Sequence, residues 1–228
     1  MALYYKFRSC SERNFMSLEN NQIYASPINF FNDPFEIVCW EDEKQSDSER
    51  NTNESLLAHL KTRTANRSFH CVSSFTSEED FLCNSLLMWA HYSDGHKGFC
   101  IAYNEHLLDG LKEGAINEGF CTVKYSNELP DIPTDGDNRA FLNVIRTKSK
   151  IWEYEQEVRM IYSDSGVKQL SNNVVDAIYM GCKISNYNKW ILMGIAKRLG
   201  VKCYEIKFDP MNNMLKRIDL ALENISFE

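Results

Sequence analysis

Residues 86–103, LLMWAHYSDGHKGFCIAY, constrain the fold most tightly, because an apolar helical run, a polar turn and an apolar strand follow one another with no spacer. Leu86, Leu87, Met88, Trp89 and Ala90 are too apolar for a helix with a broad face in water, so burial on more than one side is expected. Gly95 supplies the stop, since glycine tolerates the left-handed conformation in which helices commonly end. GFCIAY then reads as a buried strand. His91, Tyr92, Asp94, His96 and Lys97 are thereby delivered to the mouth of a helix-to-strand turn, and a turn carried by two rigid elements can hold a site.

The remaining elements are read in chain order. LYYKFR (3–8) has the aromatic content of a short strand, and Ser9, Ser11 and Glu12 can cap the helix that follows. QIYASP alternates as a second strand that Pro27 ends, and INFFNDPFE follows as a loop. Phe30, Phe31 and Phe35 around Asn32-Asp33-Pro34 imply that this loop folds back onto the core and fixes its polar tip, either as a structural turn or facing a ligand. After a helix SLLAHLKTR, FHCVSSFTS alternates as a strand with Ser73 and Ser74 near its polar end. Beyond the central strand a helix is expected around 105–111, then a strand CTVKYS and a helix from about 139 towards 149. In KIWEYEQEVRMIY, Trp152, Tyr154, Val158 and Met160 share one parity and Glu153, Glu155, Glu157 and Arg159 the other, which predicts one continuous strand. Its same-face carboxylates form a solvated face, meet a cation, with Arg159 the nearest, or lie in part in a helix-to-strand transition. DAIYMG, a helix YNKWILMGIAKRLG capped by Ser185 or Asn186, a strand VKCYEIKF and a last segment LKRIDLAL complete the chain.

Strands and helices alternate without the regular crossovers of a doubly wound sheet, so the expected fold class is α+β, with mixed or antiparallel sheets and flanking helices. With 228 residues and 43% hydrophobic content, 1–228 is expected to form one domain, with loops near 41–54 and 129–137. The charge balance of 25 − 32 = −7 argues against indiscriminate capture of nucleic acid or anionic membrane while leaving a local basic pocket open. Eight cysteines include no CxxC pair, so reduced thiols and no structural zinc are expected. The opening lacks the features of a secretory signal and no apolar run approaches a membrane span, so a cytoplasmic location with no membrane partner is expected.

SPINFFNDPFE, LMWAHYSDGHKGFCIAY, IWEYEQEVRMIY and AIYMGCKIS, with the opening YYKFRS, together resemble a bacterial family catalogued as domain of unknown function 2971. That family nominates residues at the FNDPFE loop, the HYSDGHKG turn and the YEQEVR strand, and it implies no reaction. A further resemblance, to the ADP-ribosyltransferase fold with its split-sheet core, is carried by Arg8 at the end of a first strand, Ser73 and Ser74 on a middle strand and Glu157 opening a late strand.

What that second resemblance implies is cleavage of the nicotinamide–ribose bond of NAD, taken as substrate, by an ADP-ribosyltransferase or NAD-cleaving enzyme. Its acceptor is unidentified, and a toxin or phage-defence role follows by analogy only. Glu157 would stabilise an oxocarbenium-like transition state, Arg8 would clamp the pyrophosphate, and Tyr92 or Phe35 would stack on nicotinamide. His91 joins Glu157 and Tyr92 among the catalytic candidates, while Ser73, Ser74, Asn32, Asp33, Lys97 and Arg159 join Arg8 and Phe35 as ligand-binding candidates. For Arg8 the structural alternative is a salt bridge to Asp33, Glu36 or Glu157. Glycine-rich phosphate loops are absent from the sequence, which argues against a Rossmann dehydrogenase or P-loop NTPase. Two alternatives stand beside the transferase. One is a metal-dependent phosphodiesterase or nuclease using His91, Asp94 and His96 with a carboxylate such as Asp33 or Glu157; offsets of three and five do not share one helical face unless the break at Gly95 redirects His96. The other is a non-catalytic sensor that binds a small-molecule nucleotide in an aromatic-lined pocket.

Overall fold

Alternation in LYYKFR puts Tyr5 and Phe7 on one face of strand β1 (Leu3–Arg8), where both are buried, and Tyr4, Lys6 and Arg8 on the other. The computed structural model describes residues 3–33, 56, 58–115, 118–128, 130, 137–212 and 214–222. The loop expected at 41–54 lies outside the described residues, as do Pro34, Phe35 and Glu36 and most of 129–137.

The described strands, numbered in chain order, are β1, β2 (Gln22–Pro27), β3 (Ser68–Phe75), β4 (Phe99–Tyr103), β5 (Lys112–Glu113), β6 (Gly119–Thr122), β7 (Lys124–Ser126), β8 (Thr147–Ser149), β9 (Glu157–Tyr162), β10 (Gly166–Gln169), β11 (Val175–Met180), β12 (Lys202–Asp209) and β13 (Met214–Asp219). Eleven of them form one sheet in the order β13-β12-β11-β4-β1-β3-β9-β6-β5, with β2 joined to β3 and β10 joined to β2; β7 and β8 pair separately. Most pairings are antiparallel, while β11–β12, β5–β6 and the separate β7–β8 are parallel, so the α+β class with a large mixed sheet and flanking helices holds.

Helices cover both faces. Helix α1 (Glu12–Glu19) starts at Ser11, whose hydroxyl accepts from the Asn14 N–H at 3.3 Å, and α5 (Asn186–Leu199) starts at Ser185 in the same way. Gly200 ends α5 at φ 69°, a left-handed conformation that favours glycine. Leu18 of α1 and Leu192, Ile195 and Ala196 of α5 pack on Phe99, Ile101, Ile178 and Met180 of the sheet. On the opposite face α2 (Glu78–Asn84) and α3 (Leu86–Tyr92) bury Phe81, Met88 and Trp89 against Tyr5, Phe7 and Tyr179. A helical run at 58–65 and α4 (Asp137–Arg146) cover the far end, around Phe69, Cys121 and Ile161.

Several local expectations are corrected. Leu86 and Leu87 are 46% and 47% exposed, so α3 is not buried on more than one side; Met88 and Trp89 are its buried residues, with Tyr92 packed beside them, and Trp89 lies edge-on to Phe7 at 5.2 Å. KIWEYEQEVRMIY is not one strand, because 150–155 form a 3-10 turn and Gln156 takes φ 47° before β9 begins. CTVKYS divides at Val123 between two sheets, the helix towards 149 stops at Arg146 and passes into β8, and 105–108 form a 3-10 turn. Phe30 does not fold back: it is 73% exposed, whereas Phe31 packs edge-on to Phe69 at 5.7 Å.

Strands β1 and β3 part early. They pair only at Leu3↔Phe75, Tyr4↔Ser74 and Tyr5↔Ser73. From Lys6 onward β1 pairs with β4 alone, while Ser68–Val72 of β3 pair with β9 and, at the first two residues, with β2.

Candidate functional site

A cleft of about 770 Å³ opens where β1 and β3 separate. Lys6 and Arg8 have opposite parity to Tyr5, while Ser73 and Glu157 lie in one row with Tyr5 across three strands. In an unbroken sheet these two sets would face opposite sides. Where the strands part, Lys6, Arg8 and His70 of one face and Cys71, Ser73 and Glu157 of the other line the same cavity. Ser11 at the cap of α1, Arg13, Asn14 and Ser17 of α1, Tyr24 and Ser26 of β2, Phe30 to Asp33 of the aromatic loop, Tyr92 of α3 and Lys148, Trp152 and Glu155 close it.

One wall is a balanced charge cluster. Both Glu157 oxygens are held by Arg159, Nε to Oε1 at 2.9 Å and Nη2 to Oε2 at 3.2 Å, and Arg159 also donates to the Ile145 carbonyl at 2.6 Å. Lys148 bridges the two carboxylates, 2.5 Å from Glu155 and 3.1 Å from Glu157. The left-handed Gln156 turns the chain so that Glu155 and Glu157, two apart in sequence, reach the same ammonium. Lys148 is itself fixed in β8 beside Tyr125, whose hydroxyl accepts the Glu157 N–H at 2.8 Å. Tyr92 donates its hydroxyl to Glu155. Although burial opposes it, the charges of Arg159 and Lys148 hold the Glu157 carboxyl far below its ordinary range, so it stays ionised. Burial raises the Glu155 carboxyl, against the pull of Lys148.

The other wall is basic. Half-buried Arg8 lines the cleft and makes no ion pair with a described carboxylate, so the salt bridge to Asp33 or Glu157 does not form; Glu36 lies outside the described residues. Lys6 donates to the Cys71 carbonyl at 2.5 Å, and burial followed by the Arg8 charge lowers its pKa to about 8. Arg13 stacks over the Tyr24 ring at 4.6 Å. His70 is 2% exposed, its Nδ1 is 3.0 Å from the Tyr24 carbonyl oxygen, and its Nε2 has no partner among the described residues. Gly98 braces the end of β1, since a Cβ there would lie 2.1 Å from the Arg8 oxygen.

Of the residues nominated from sequence, Arg8, Asn32, Asp33, Ser73, Tyr92 and Glu157 line the cleft. Arg159 lies directly behind it, wholly buried, with its guanidinium 5.5 Å from the Phe31 ring. Ser74, His91 and Lys97 are outside its lining: His91 is exposed, with Nδ1 2.9 Å from the Tyr154 hydroxyl, and Lys97 sits exposed in the turn after α3. Phe35 lies outside the described residues. The solvated-face reading of the carboxylates is overturned for Glu155 and Glu157, which are 4% and 5% exposed. Sequence reasoning missed Lys6, Arg13, Tyr24, His70 and Lys148. Lys6 shares the parity of Arg8 in LYYKFR and could have been found; Lys148 left no local signal, because its partners are set by the turn at Gln156.

Residues 88–160 match a family model described as Protein of unknown function (DUF2971). The matched segment runs from α3 into β9 and contains the HYSDGHKG and YEQEVR motifs that carry the family resemblance. It contributes Met88, Tyr92, Lys148, Trp152, Glu155 and Glu157 to the cleft, and so the whole charge cluster apart from the strands that pack on it. No curated protein and no solved structure matches the chain, so the ADP-ribosyltransferase likeness rests on residues alone. Among the described residues no group of three His, Cys, Asp or Glu side chains could hold a metal ion, and no helix is long and apolar enough to cross a membrane.

Proposed function

We propose that the cleft binds NAD and that the protein is an ADP-ribosyltransferase or NAD-cleaving enzyme. The observation that carries this reading is that Arg8, Ser73 and Glu157, from three separated segments, line one cavity at the break in the sheet. The two walls have the charges a dinucleotide requires. On the basic side Arg8 offers a planar fork to a pyrophosphate, with Lys6 and Arg13 beside it. On the acidic side a permanently ionised Glu157 would face the cation that develops as the nicotinamide–ribose bond lengthens. Lys148 and Arg159 balance Glu155 and Glu157, so stabilisation would depend on the closeness of Glu157 to the ribose rather than on a net negative field. Tyr92 and Trp152 supply rings at that wall for a nicotinamide to lie against.

A second reading, a sensor that binds a nucleotide without turnover, is favoured by the full engagement of both Glu157 oxygens. Two measurements separate them. Calorimetry with NAD should show binding that Arg8→Lys weakens, and nicotinamide should be released in the presence of candidate protein and nucleic-acid acceptors. Binding without release supports the sensor, and absence of both removes the transferase reading. If it holds, NAD consumption would suit a toxin or phage-defence effector.

A further inference from the structure

We propose that the basic wall recognises a phosphorylated sugar rather than a bare anion, with His70 Nε2 accepting a hydrogen bond from a sugar hydroxyl while Arg8 and Lys6 hold the phosphate. This rests on the nucleotide-binding reading of the cleft but not on turnover. A carbonyl oxygen can only accept, so the contact between His70 Nδ1 and the Tyr24 carbonyl at 3.0 Å puts the ring proton on Nδ1. Nε2 then carries a lone pair. Burial, followed by the charges of Lys6 and Arg8, drives the imidazole pKa well below its ordinary range, so the ring is neutral at pH 7.

This bare acceptor belongs to a side chain that lines the cleft, is 2% exposed and has no partner at Nε2 among the described residues. Leaving a buried acceptor unsatisfied is costly, and a site that does so discriminates strongly in favour of a ligand that supplies the missing donor. The Lys6 ammonium donates to the Cys71 carbonyl and does not reach Nε2, which leaves its other N–H groups for an anion. A fully ionised phosphate cannot supply it either, since its oxygens would meet a lone pair. The group that satisfies all three side chains has anionic oxygens for Arg8 and Lys6 and a hydroxyl donor within a few ångströms of them. A pentose phosphate, free or as part of a nucleotide, has that arrangement.

The test compares ribose 5-phosphate with tetrahydrofurfuryl phosphate, which keeps the ring and the phosphate but has no hydroxyl, on the full chain. Ribose 5-phosphate should bind about tenfold more tightly, the value of one well-made hydrogen bond to a buried acceptor. Its addition should move the 15N resonance of His70 Nε2, and tetrahydrofurfuryl phosphate should not. His70→Phe should abolish the preference, His70→Gln, which restores an acceptor, should recover part of it, and Arg8→Ala should weaken both esters alike. Equal affinities for the two esters, or a stationary Nε2 resonance on saturation with ribose 5-phosphate, overturn the assignment while leaving a phosphate-binding cleft. Failure of both esters to bind overturns the nucleotide reading and this inference with it. The nitrogen resonance is read on the unmodified protein, so poor folding of a variant does not decide the outcome.

Discussion

The Lys6 ammonium lies 2.5 Å from the main-chain oxygen of Cys71, across the gap where β1 and β3 cease to pair. A side chain thus replaces a backbone bond at the mouth of the cleft, and the cation it brings is held in a place where burial and Arg8 both act against its charge.

Because the Lys6 pKa is lowered to about 8, its charge is lost within an accessible pH range. A phosphate ester is already a dianion above its second pKa of about 6. Affinity for ribose 5-phosphate should therefore be level near pH 7 and fall as pH rises through about 8. Lys6→Met should bind roughly tenfold more weakly at pH 7, in line with loss of a charge-assisted bond, and show no further decline to pH 9. An unchanged pH slope in Lys6→Met, measured by calorimetry, would assign the titration elsewhere.

Glu157→Gln removes one charge from a buried cluster and leaves Arg159, which is wholly buried, facing an amide. The expected destabilisation is about 3–5 kcal/mol, read from the urea midpoint. Glu157→Gln combined with Arg159→Met should recover part of that loss, since it removes the stranded cation while Lys148 keeps its pair with Glu155. In the fraction that remains folded, nicotinamide release should fall by roughly a hundredfold if Glu157 acts on the transition state. Normal stability together with normal turnover would remove Glu157 from both roles.

Tyr92→Phe deletes the hydroxyl that donates to Glu155 while keeping the ring in the cleft wall. A buried carboxylate short of one donor should cost about 1–3 kcal/mol. Thermal unfolding at pH 7 should register the loss, and dinucleotide binding should change less than stability; an unaltered melting temperature would mean that Lys148 alone satisfies Glu155.

Acid should unfold the protein in two stages. The imidazole of His70 is held well below its ordinary 6.5 by burial, so the unfolded chain takes up a proton that the folded one refuses, and stability declines as pH drops below about 6.5. His96, lowered by burial and then by Lys183, acts in the same sense. Glu157 is depressed from 4.5, and its contribution is present above that value and lost as pH falls below it; Glu155, raised by burial, takes up its proton in the folded state above 4.5 and so offsets part of the first limb. Urea denaturation from pH 8 to pH 3 should show both limbs in the wild type and a shallower first limb in His70→Gln. A first limb of equal slope in that variant would place the proton uptake on other groups.

Local chemistry in the chain determined most of the elements. Ser11 and Ser185 cap the helices they precede, Gly200 ends α5, and the parity of LYYKFR, SFHCVSSF and EVRMIY sorts their side chains between the two faces of a mixed sheet. These signals depend on neighbours within a few residues, which is why they can be read without the fold. The likeness of residues 88–160 to the family model spans the same kind of local run.

Tertiary structure decided where those faces meet. Parity alone sets Lys6 and Arg8 on the opposite side of the sheet from Ser73 and Glu157, and only the early end of β1–β3 pairing lets both sets line one cleft. In the same way KIWEYEQEV has a period of two and still breaks, because the backbone turns at Gln156 to bring Glu155 and Glu157 onto Lys148. Burying two carboxylates is tolerated only against cations, and those cations come from β8 and from the strand itself. Such long-range compensation leaves no periodicity in the sequence, so the candidate residues could be named from it but not the break in the sheet that assembles them.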